Sequence, residues 1–430
     1  MKRLLPLLLS LTLLCAGCGA PAPSGGSPSA PPAESSGPAP ESSGEAAVPG
    51  QTPETDHLPE TDPLPEADSD PAESYTLDKA FTTGGRELTA RLHGTIDRTD
   101  GCERCGVYKI EVLEGETVLQ TLLVKDAIDA ACAAAGTENY GDEDRTNYFT
   151  IDSGLALEDL NFDGCPDLRL IQALGTVNAS WLCWLWEPEN SRFSYAFELV
   201  GFELTADPET RQIITQARDG WGLYYTDCYQ YNSGAGKLLH VGQMVENFCL
   251  EEAAEPEDAL VSVWEYLPNV SVELKYATAD NFTGQVIYDS ADARLRLGTL
   301  RKLQKAQDRL GAEGYRLLIW DAYRPPEAQW KLWELCPDPN FVSDPNRGFS
   351  RHSRGSTVDV TLVTLDGEAV EMPSGFDEFS PLADRDYSDV SDTARANAER
   401  LEQAMTAAGF RGYDKEWWHY SDTTDYPVIQ

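Results

Sequence analysis

The sequence is poor in positive charge and in histidine. Its 430 residues include 33 Lys and Arg against 72 Asp and Glu, so the formal net charge is -39 at pH 7. A chain this acidic repels phosphate backbones and anionic lipid headgroups, which argues against nucleic acid and anionic membrane surfaces as partners. Its length gives room for two or three domains with hydrophobic cores of their own.

A hydrophobic run long enough to cross a membrane is missing at the N-terminus. The apolar run Leu4–Leu14 is shorter than the roughly 20 residues that a spanning helix needs. It follows Met1–Arg3 and precedes Ala16–Cys18, the order of a signal peptide. The segment resembles the lipobox of bacterial lipoproteins, in which the cysteine, here Cys18, is lipidated and becomes the mature N-terminus. We expect a lipoprotein signal at 1–18 and a lipid anchor on the outer face of the cytoplasmic membrane. Ordinary secretion and an uncleaved anchor are the alternatives.

Residues 19–74 contain almost no large apolar side chains. Pro, Ser, Gly, Ala and Glu predominate, and a short acidic repeat begins at Pro53, Pro59 and Pro65. Such a segment cannot bury enough surface to offset the entropy lost on ordering. Pro-rich linkers of like charge stay extended. We expect a disordered linker that holds the folded part away from the membrane.

Residues 75–253 have a different composition. Short runs of Val, Ile, Tyr, Trp and Thr, such as Val107–Val112 and Val118–Val124, alternate with turn residues. This pattern predicts a mostly β domain of short antiparallel strands. The tryptophans of Trp181–Trp186 alternate, so we expect them to share one face. Core packing is the default for such side chains, and an exposed groove for glycan or peptide is the alternative.

One loop of this domain lacks the last ligand of a calcium site. In Asp159–Asp167, oxygen-bearing side chains stand at alternate positions and glycine is sixth, as at the start of a calcium loop. The closing glutamate is replaced by Leu170, and Cys165 occupies another ligand position. A Ca²⁺ site and a polar turn between strands are therefore both open. The candidate ligands are Asp159, Asn161, Asp163 and Asp167.

Outside the predicted signal, where Cys15 and Cys18 have this spacing, a second Cys-x-x-Cys pair is also missing. Seven of the ten cysteines lie between Cys102 and Cys249, an odd number, so at least one of them is free or pairs elsewhere. An exported protein can hold disulfides. Cys102 and Cys105 have metal or redox spacing, but no second pair completes a zinc site. A local disulfide and two plain thiols are the alternatives.

Of the five histidines, only His352 and His419 lie in the C-terminal third. Asp359 follows the first of them, and Glu416 precedes the second by three residues. Catalytic zinc takes three protein ligands in tetrahedral geometry and leaves the fourth position to water, whose pKa it lowers to about 7. We interpret His352, Asp359 and His419 as zinc ligands and Glu416 as the general base. For either histidine alone, a packed or surface role would be the ordinary interpretation.

The pattern changes to α+β after Val261. Leucines at helical spacing, an apolar run of strand length and an alternating segment follow one another. They predict a C-terminal α+β domain over residues 260–430. The predicted helices are Arg294–Leu310, ended by Gly311, and Asp392–Ala408; the predicted strands are Arg316–Trp320 and Ser356–Val363.

Four stretches of this region carry a family signature. They are Tyr276–Gly284, Leu317–Pro325, Ser350–Asp359 and Glu416–Tyr420. In this order they resemble the D-alanyl-D-alanine dipeptidases of the vancomycin-resistance type, a branch of the zinc D,D-peptidases. The resemblance covers about residues 262–425 and neither the linker nor the middle domain. It implies the α+β fold of the zinc D,D-peptidases and the hydrolysis of D-Ala-D-Ala as the activity.

The resemblance also implies roles for individual residues. Zinc would be held by His352, Asp359 and His419, with Glu416 as general base and acid. Arg324 would polarise the scissile carbonyl and stabilise the oxyanion, a contribution of about 2.7–4 kcal/mol for a comparable donor. Without the resemblance, an ion pair with Asp321 would be its ordinary interpretation. The matching substrate-binding positions are Tyr276, Ser350 and Asp377, of which Asp377 would pair with the free amine.

Two features depart from the family. Arg351 replaces a small residue beside His352, and the signal segment predicts export, whereas well-known members act in the cytoplasm. Outside the cell, D-Ala-D-Ala occurs mostly at the ends of peptidoglycan stem peptides or in released fragments. Three hypotheses follow: a zinc D,D-dipeptidase of the cell envelope, a D,D-carboxypeptidase that trims stem peptides, and an inactive cell-wall-binding lipoprotein.

Overall fold

The computed structural model describes residues 73–98, 104–137, 146, 154–339 and 341–429, all within one compact unit, Ala67–Gln430. The predicted signal at 1–18 with Cys18, the predicted linker up to residue 72, and Cys102 lie outside the described residues. The first strand begins at Glu73, so the last two residues predicted as linker belong to the fold. Within these ranges, no helix combines the length and apolarity that crossing a membrane requires.

Three antiparallel sheets of four strands follow one another along residues 73–247, and strands adjacent in sequence are neighbours in each sheet. The first contains β1 (Glu73–Thr83), β2 (Arg86–Asp97), β3 (Arg104–Glu114) and β4 (Thr117–Leu123). The second contains β5 (Leu155–Glu158), β6 (Asp167–Leu174), β7 (Ala179–Glu187) and β8 (Arg192–Gly201). The third contains β9 (Glu203–Asp207), β10 (Gln212–Asp219), β11 (Leu223–Asn232) and β12 (Lys237–Asn247). In this part of the chain the described residues also form two helices, α1 (Val124–Ala135) and α2 (Phe248–Glu251). The prediction of mostly β structure is confirmed.

The tryptophans of β7 do not share one face. Trp184 and Trp186 are buried in the cluster that contains Phe81 and Phe193, and Trp181 is buried in another. Successive side chains of a strand point to opposite faces, so positions 181 and 184 face opposite ways. The prediction of a common face was therefore wrong. All three side chains are core residues, so none of them lines an exposed aromatic groove.

Six cysteines of the described residues are free thiols rather than disulfide partners. A disulfide between Cys102 and Cys105 stays a prediction, because Cys102 lies outside the described residues. None of these six positions therefore contributes a disulfide cross-link. The free thiols are Cys132, Cys165, Cys183, Cys228, Cys249 and Cys336.

The C-terminal region is built on a five-stranded sheet of order β14–β16–β17–β19–β18. Its strands are β14 (Ser271–Val272), β16 (Tyr315–Asp321), β17 (Thr357–Thr364), β18 (Phe410–Tyr413) and β19 (Glu416–Asp422). A two-stranded sheet joins β13 (Leu260–Ser262) and β15 (Arg294–Arg296). The helices are α3 (Val263–Tyr266), α4 (Leu297–Gly311), α5 (Pro326–Leu335) and α6 (Asp392–Ala408). The helix predicted to begin at Arg294 begins three residues later, at Leu297, because Arg294–Arg296 form a strand that pairs with β13.

Helices α4 and α6 pack together and cover this sheet. Leu300 and Leu303 of α4 are fully buried, as helical spacing of apolar residues predicts. Helix α6 is capped at its N-terminus by Ser391, whose hydroxyl accepts a hydrogen bond from the Ala394 amide, and at its C-terminus by Gly409, which has a φ of 101°. These helices fix β16, β17 and β19 side by side.

Candidate metal and active site

The strand order brings distant acidic and histidine side chains together. Asp359 of β17 lies opposite His419 of β19 and opposite Asp321 at the end of β16. The register of β16 shifts at Trp320, between Ile319 and Asp321. The three central strands of the sheet therefore place two carboxylates and one imidazole side by side.

His352 reaches these side chains from the turn before β17. The turn Arg351–Arg354 is a short 3₁₀ helix capped by Ser350, whose hydroxyl accepts a hydrogen bond from the His352 amide. It ends at Gly355, which has a φ of 69°, and a Cβ there would lie 2.9 Å from the Leu260 side chain. The left-handed backbone favours glycine at this position, and a larger residue would also displace the end of the Leu260 side chain.

One hydrogen bond fixes the tautomer of His352. Its Nδ1 lies 2.8 Å from the carbonyl oxygen of Ala322. A carbonyl only accepts, so Nδ1 carries the proton and Nε2 is left with a lone pair. Such a bond from the far nitrogen is typical of histidines that bind metal.

Three side chains direct acceptor atoms towards one another in the centre of the site. His352 Nε2 lies 3.3 Å from Asp359 Oδ2 and 3.4 Å from His419 Nδ1, and His419 Nδ1 lies 3.0 Å from Asp359 Oδ1. A tetrahedral zinc with bonds of about 2.0–2.2 Å holds its ligand atoms about 3.3–3.6 Å apart. Asp359 Oδ1 is buried and receives no hydrogen bond. The donor set and its spacing therefore fit a zinc ion held by these three side chains.

The charges of the site keep the aspartate ionised. Burial acts to raise the pKa of Asp359, but His352 and His419 outweigh it and hold this pKa well below its usual value. Burial acts to lower the pKa of His352, but the carboxylates of Asp359 and Asp321 outweigh it and raise this pKa. An ionised carboxylate between two imidazoles is a strong site for a divalent cation.

Glu416 begins β19 and lies beside the three ligand atoms. Its Oε2 is 3.6 Å from His419 Nδ1, and its side chain is partly buried. Burial raises the pKa of the Glu416 carboxyl above its usual value, partly offset by the nearby His419. A carboxyl group whose pKa is moved towards neutrality is suited to both accepting and donating a proton.

Arg324 is a buried cation held in a fixed position. Its Nη2 donates to Asp321 Oδ2 at 2.7 Å, and its Nη1 donates to Gln329 Oε1 at 3.2 Å. Its guanidinium lies over the ring of Tyr276, 5.0 Å from the ring centre, while its Nε is buried without a partner. The ion pair with Asp321 is therefore present, and it holds the arginine in the wall of the same cavity.

The site opens into a cavity of about 260 Å³. This is below the 300–1,000 Å³ that is typical of pockets for drug-sized ligands, so the cavity suits a small ligand. All of the residues predicted for zinc, catalysis and substrate binding line it. They are Tyr276, Arg324, Ser350, His352, Asp359, Asp377, Glu416 and His419.

Asp377 forms an acidic wall of this cavity. Its Oδ2 accepts a hydrogen bond of 2.6 Å from the hydroxyl of Tyr276. Burial raises the pKa of Asp377 to about 7, although the bond from Tyr276 acts to lower it. The residue has a φ of 53°, a left-handed conformation that non-glycine residues rarely adopt. A strained backbone that buries a carboxylate is common at functional sites.

Sequence reasoning missed several residues of the cavity wall. Phe341 and Val342 belong to the loop between α5 and the His352 turn, and Tyr413 ends β18. Nothing in the motif pattern marks them, because they approach the site only through the strand order and the loop path. Gln329 was missed as well, and its position one turn into α5 after Arg324 was the available signal.

The candidate calcium loop is satisfied by the protein itself. Asp159 accepts hydrogen bonds from the amides of Asp163 and Gly164, and the side chains of Asn161 and Asp163 also accept backbone amides. Asp167 is fully buried, where it accepts from the Trp186 amide at 2.8 Å, and burial raises its pKa to about 7. These contacts favour the polar turn and give Ca²⁺ no support.

Comparison with known proteins places residues 256–428 in a family. They match the family model described as D-ala-D-ala dipeptidase. The D-alanyl-D-alanine dipeptidase of Escherichia coli is 39% identical over 172 residues, which make up 40% of this chain and 89% of that protein. The enzyme of that name from Enterococcus faecalis is 36% identical over 185 residues, covering 38% of this chain and 91% of its own. The enzyme of that name from Streptomyces coelicolor is 37% identical over 178 residues, which cover 36% of this chain and 88% of that protein. The resemblance drawn from the motifs is confirmed.

Proposed function

The chain belongs, through residues 256–428, to the D-alanyl-D-alanine dipeptidase family of hydrolases, and we propose that it hydrolyses free D-Ala-D-Ala with zinc at the cell envelope. The observation that carries the proposal is the triad of His352, Asp359 and His419, whose ligand atoms face one another beside Glu416. All four side chains line one small cavity that also holds an acidic wall and a fixed cation.

The cavity wall supports one orientation of the dipeptide. The carboxylate of Asp377 is the partner for the free ammonium group. Arg324 is the cation for the scissile carbonyl, because it lines the cavity and Asp321 and Gln329 hold it in place. Ser350 acts chiefly through the His352 turn that it caps.

The reaction that we propose is a proton transfer coupled to attack by water. A zinc ion held by the three side chains would activate the water and polarise the carbonyl. Glu416 accepts the proton of the attacking water at its carboxylate and then donates it to the departing amine nitrogen. Arg324 stabilises the negative charge that develops on the carbonyl oxygen.

The aromatic loops around the cavity support a free dipeptide rather than a stem peptide. The ring of Phe341, in the cavity wall, packs at a tilt against the ring of Phe379 with centres 4.7 Å apart, and Phe379 makes an edge contact with Phe282 at 5.5 Å. Phe379 follows Asp377 by two residues, so these contacts close the wall next to the proposed ammonium site. A stem peptide continues beyond that amine and would need the loops to separate.

The place of action is part of the proposal. The signal-like segment with Cys18 supports a lipoprotein on the outer face of the cytoplasmic membrane, with residues 19–72 as its linker. We propose that the catalytic domain spans 260–430 in the α+β class of the zinc D,D-peptidases, and that 75–253 form a mostly β domain beside it in the sequence. D-Ala-D-Ala released from the cell wall would then be the available substrate.

Hydrolysis of free D-Ala-D-Ala, compared with a pentapeptide stem ending in D-Ala-D-Ala, tests this function. We expect kcat/KM to be at least about 100-fold higher for the free dipeptide, since the acidic wall binds an amine that the stem lacks. A preference for the pentapeptide would instead establish a D,D-carboxypeptidase. Cleavage of neither peptide by the zinc-loaded protein would favour the inactive cell-wall-binding lipoprotein.

Replacing Asp377 by Asn should raise KM for D-Ala-D-Ala about 10- to 100-fold at pH 8, because the ammonium group loses its ionic partner. In the native protein KM should also rise as the pH falls below about 7, where Asp377 becomes protonated. The variant should lack that pH dependence of KM. Asn is the matched substitution, since it tolerates the left-handed backbone at this position. An unchanged KM at pH 8 would exclude the role of Asp377.

Thermal unfolding of the same variant gives an independent control. The pKa of Asp377 is raised in the folded state, so its proton stabilises the fold at low pH, and this stability is lost as the pH rises through about 7. The variant should therefore melt at a higher temperature than the native protein at pH 8 and at a similar one near pH 4. A lower melting temperature at pH 8 would contradict the burial of an ionised carboxylate.

A further inference from the structure

A second cavity of about 240 Å³ adjoins the active-site cavity. The two share Arg351, Tyr413 and His419, while Asp377 and Tyr276 line only the first. The remaining wall of the second cavity comes from β18, β19 and the residues just after them. The second cavity is therefore a continuation of the active site at the His419 side, without the acidic wall.

The imidazole of His419 stands at the boundary of the two cavities. Its Nδ1 faces Asp359 at 3.0 Å, and its Nε2 faces the hydroxyl of Ser421, a residue of the second cavity, at 3.5 Å. A dipeptide with its amine at Asp377 and its scissile carbonyl near Arg324 would point its C-terminal residue towards this boundary. The second cavity thus offers space for the side chain of the residue that is released.

Two cations without partners line the second cavity. Arg351 and Arg411 are exposed, and neither makes an ion pair or side-chain hydrogen bond within the described part of the chain. Neighbouring arginines do pair, as Arg354 does with Asp425 at 3.1 Å and Arg385 with Glu402 at 3.3 Å. In a chain of net charge -39, two arginines without ion pairs give this cavity a local excess of positive charge.

The one carboxylate in this wall does not neutralise them. Asp422 is buried, accepts a hydrogen bond of 2.8 Å from the hydroxyl of Thr299, and forms an ion pair with Lys302. Its charge is therefore matched by Lys302. The second cavity is left with a net positive lining, which suits an anionic group.

We propose that the second cavity is a subsite for an acidic side chain on the C-terminal residue of the substrate. The enzyme would then cleave D-alanyl dipeptides whose released residue carries a second carboxylate. Arg351 lines both cavities and faces the α-carboxylate, while Arg411 lines only the second and faces the side-chain carboxylate. This inference rests on the proposed function, whose dipeptide orientation it extends.

The preference should be modest and sensitive to salt. Both guanidinium groups are exposed, and exposed ion pairs are weaker than buried ones. Their attraction for a carboxylate falls as ionic strength shortens the Debye length to about 3 Å at 1 M. We expect a selectivity of about 10-fold at low salt that shrinks to less than about 3-fold at 1 M.

The test compares D-Ala-D-Glu with D-Ala-D-Gln, which has nearly the same shape without the side-chain charge. The native protein should cleave D-Ala-D-Glu with about 10-fold higher kcat/KM. Arg411→Gln should abolish this preference and change kcat/KM for D-Ala-D-Ala by less than about 2-fold. Arg395→Gln, on α6 and outside both cavities, is the matched control and should keep the preference. Equal use of the two dipeptides, or a preference that survives in Arg411→Gln, would overturn the proposal.

Binding in the background of Glu416→Gln separates this inference from the proposed function. Calorimetry with zinc-loaded Glu416→Gln should show tighter binding of D-Ala-D-Glu than of D-Ala-D-Gln, and the double variant with Arg411→Gln should bind both equally. If the native protein does not hydrolyse D-Ala-D-Ala but this difference in binding is present, the proposed function fails and the subsite stands. Equal binding of the two dipeptides to Glu416→Gln would sink the subsite, whatever the native protein cleaves.

Discussion

Replacing Glu416 by Gln will lower kcat for D-Ala-D-Ala by about 10³-fold and leave zinc bound. The carboxylate lies beside the ligand atoms, 3.6 Å from His419 Nδ1, and burial raises its pKa. Gln has the same shape but cannot accept the proton of the attacking water, and general-base catalysis is worth about 10²–10⁴-fold. Zinc should stay because Glu416 is not one of the three facing ligand atoms.

Two measurements on the same preparation check this result. Steady-state hydrolysis gives kcat, and elemental analysis gives zinc per chain. Glu399→Gln, an exposed carboxylate of α6 outside the cavity, is the matched control and should retain full activity. Loss of zinc together with activity would make Glu416 a ligand, and a kcat within about 3-fold of native would remove it from the mechanism.

Replacing Arg324 by Lys will lower kcat by about 100-fold with little change in KM. The guanidinium is held by Asp321 at 2.7 Å and by Gln329 at 3.2 Å, so it is fixed before the reaction. Lys keeps the charge but has no planar fork with which to hold both partners and still face the carbonyl oxygen. Removal of a comparable oxyanion donor costs about 10²–10³-fold in kcat.

Lysine is preferred to a neutral residue at this position because of Asp321. That carboxylate is fully buried, and loss of its cationic partner would destabilise the fold as well as the transition state. Melting temperature and kinetics should therefore be measured together. A fall in kcat with an unchanged melting temperature supports the catalytic role. A large fall in melting temperature with native kcat would make Arg324 a structural ion pair alone.

The ligand residues could be predicted because their chemistry is local in the sequence. His352 and Asp359 are joined by one turn and the start of one strand, and the scarcity of histidine left His419 as the natural third member. Their proximity could not be read from the sequence alone. It depends on the pairing of β17 with β19, which are separated in the sequence by residues 365–415, including α6 and β18.

The position of Glu416 beside the ligands could not be predicted from the sequence either. Alternation along a regular strand would place positions 416 and 419 on opposite faces. Glu416 reaches the site because it is the first residue of β19, where the pairing with β18 shifts register between Gly412 and Tyr413. A register shift depends on both strands, so neither strand predicts it. The same argument applies to Asp377, whose left-handed backbone is set by its loop.

The tryptophans of β7 show the opposite error, in which a local rule was misapplied. Trp181 and Trp184 are separated by an odd number of positions, so strand alternation already places them on different faces. The loop Asp159–Asp167 likewise has the residue spacing of a calcium site, but its side chains already bind backbone amides. Both carboxylate oxygens of Asp167 accept hydrogen bonds from backbone amides, one in its own turn and one in β7. The spacing of the residues in the sequence does not reveal these hydrogen bonds.

Zinc content and D-Ala-D-Ala hydrolysis, measured on the same protein before and after chelation, test the central claim most directly. We predict about one zinc per chain, loss of hydrolysis when it is removed, and recovery as one equivalent is returned. His419→Ala should lower zinc affinity and activity together, because it removes one of the three facing atoms. Full hydrolysis by the metal-free protein would contradict the account.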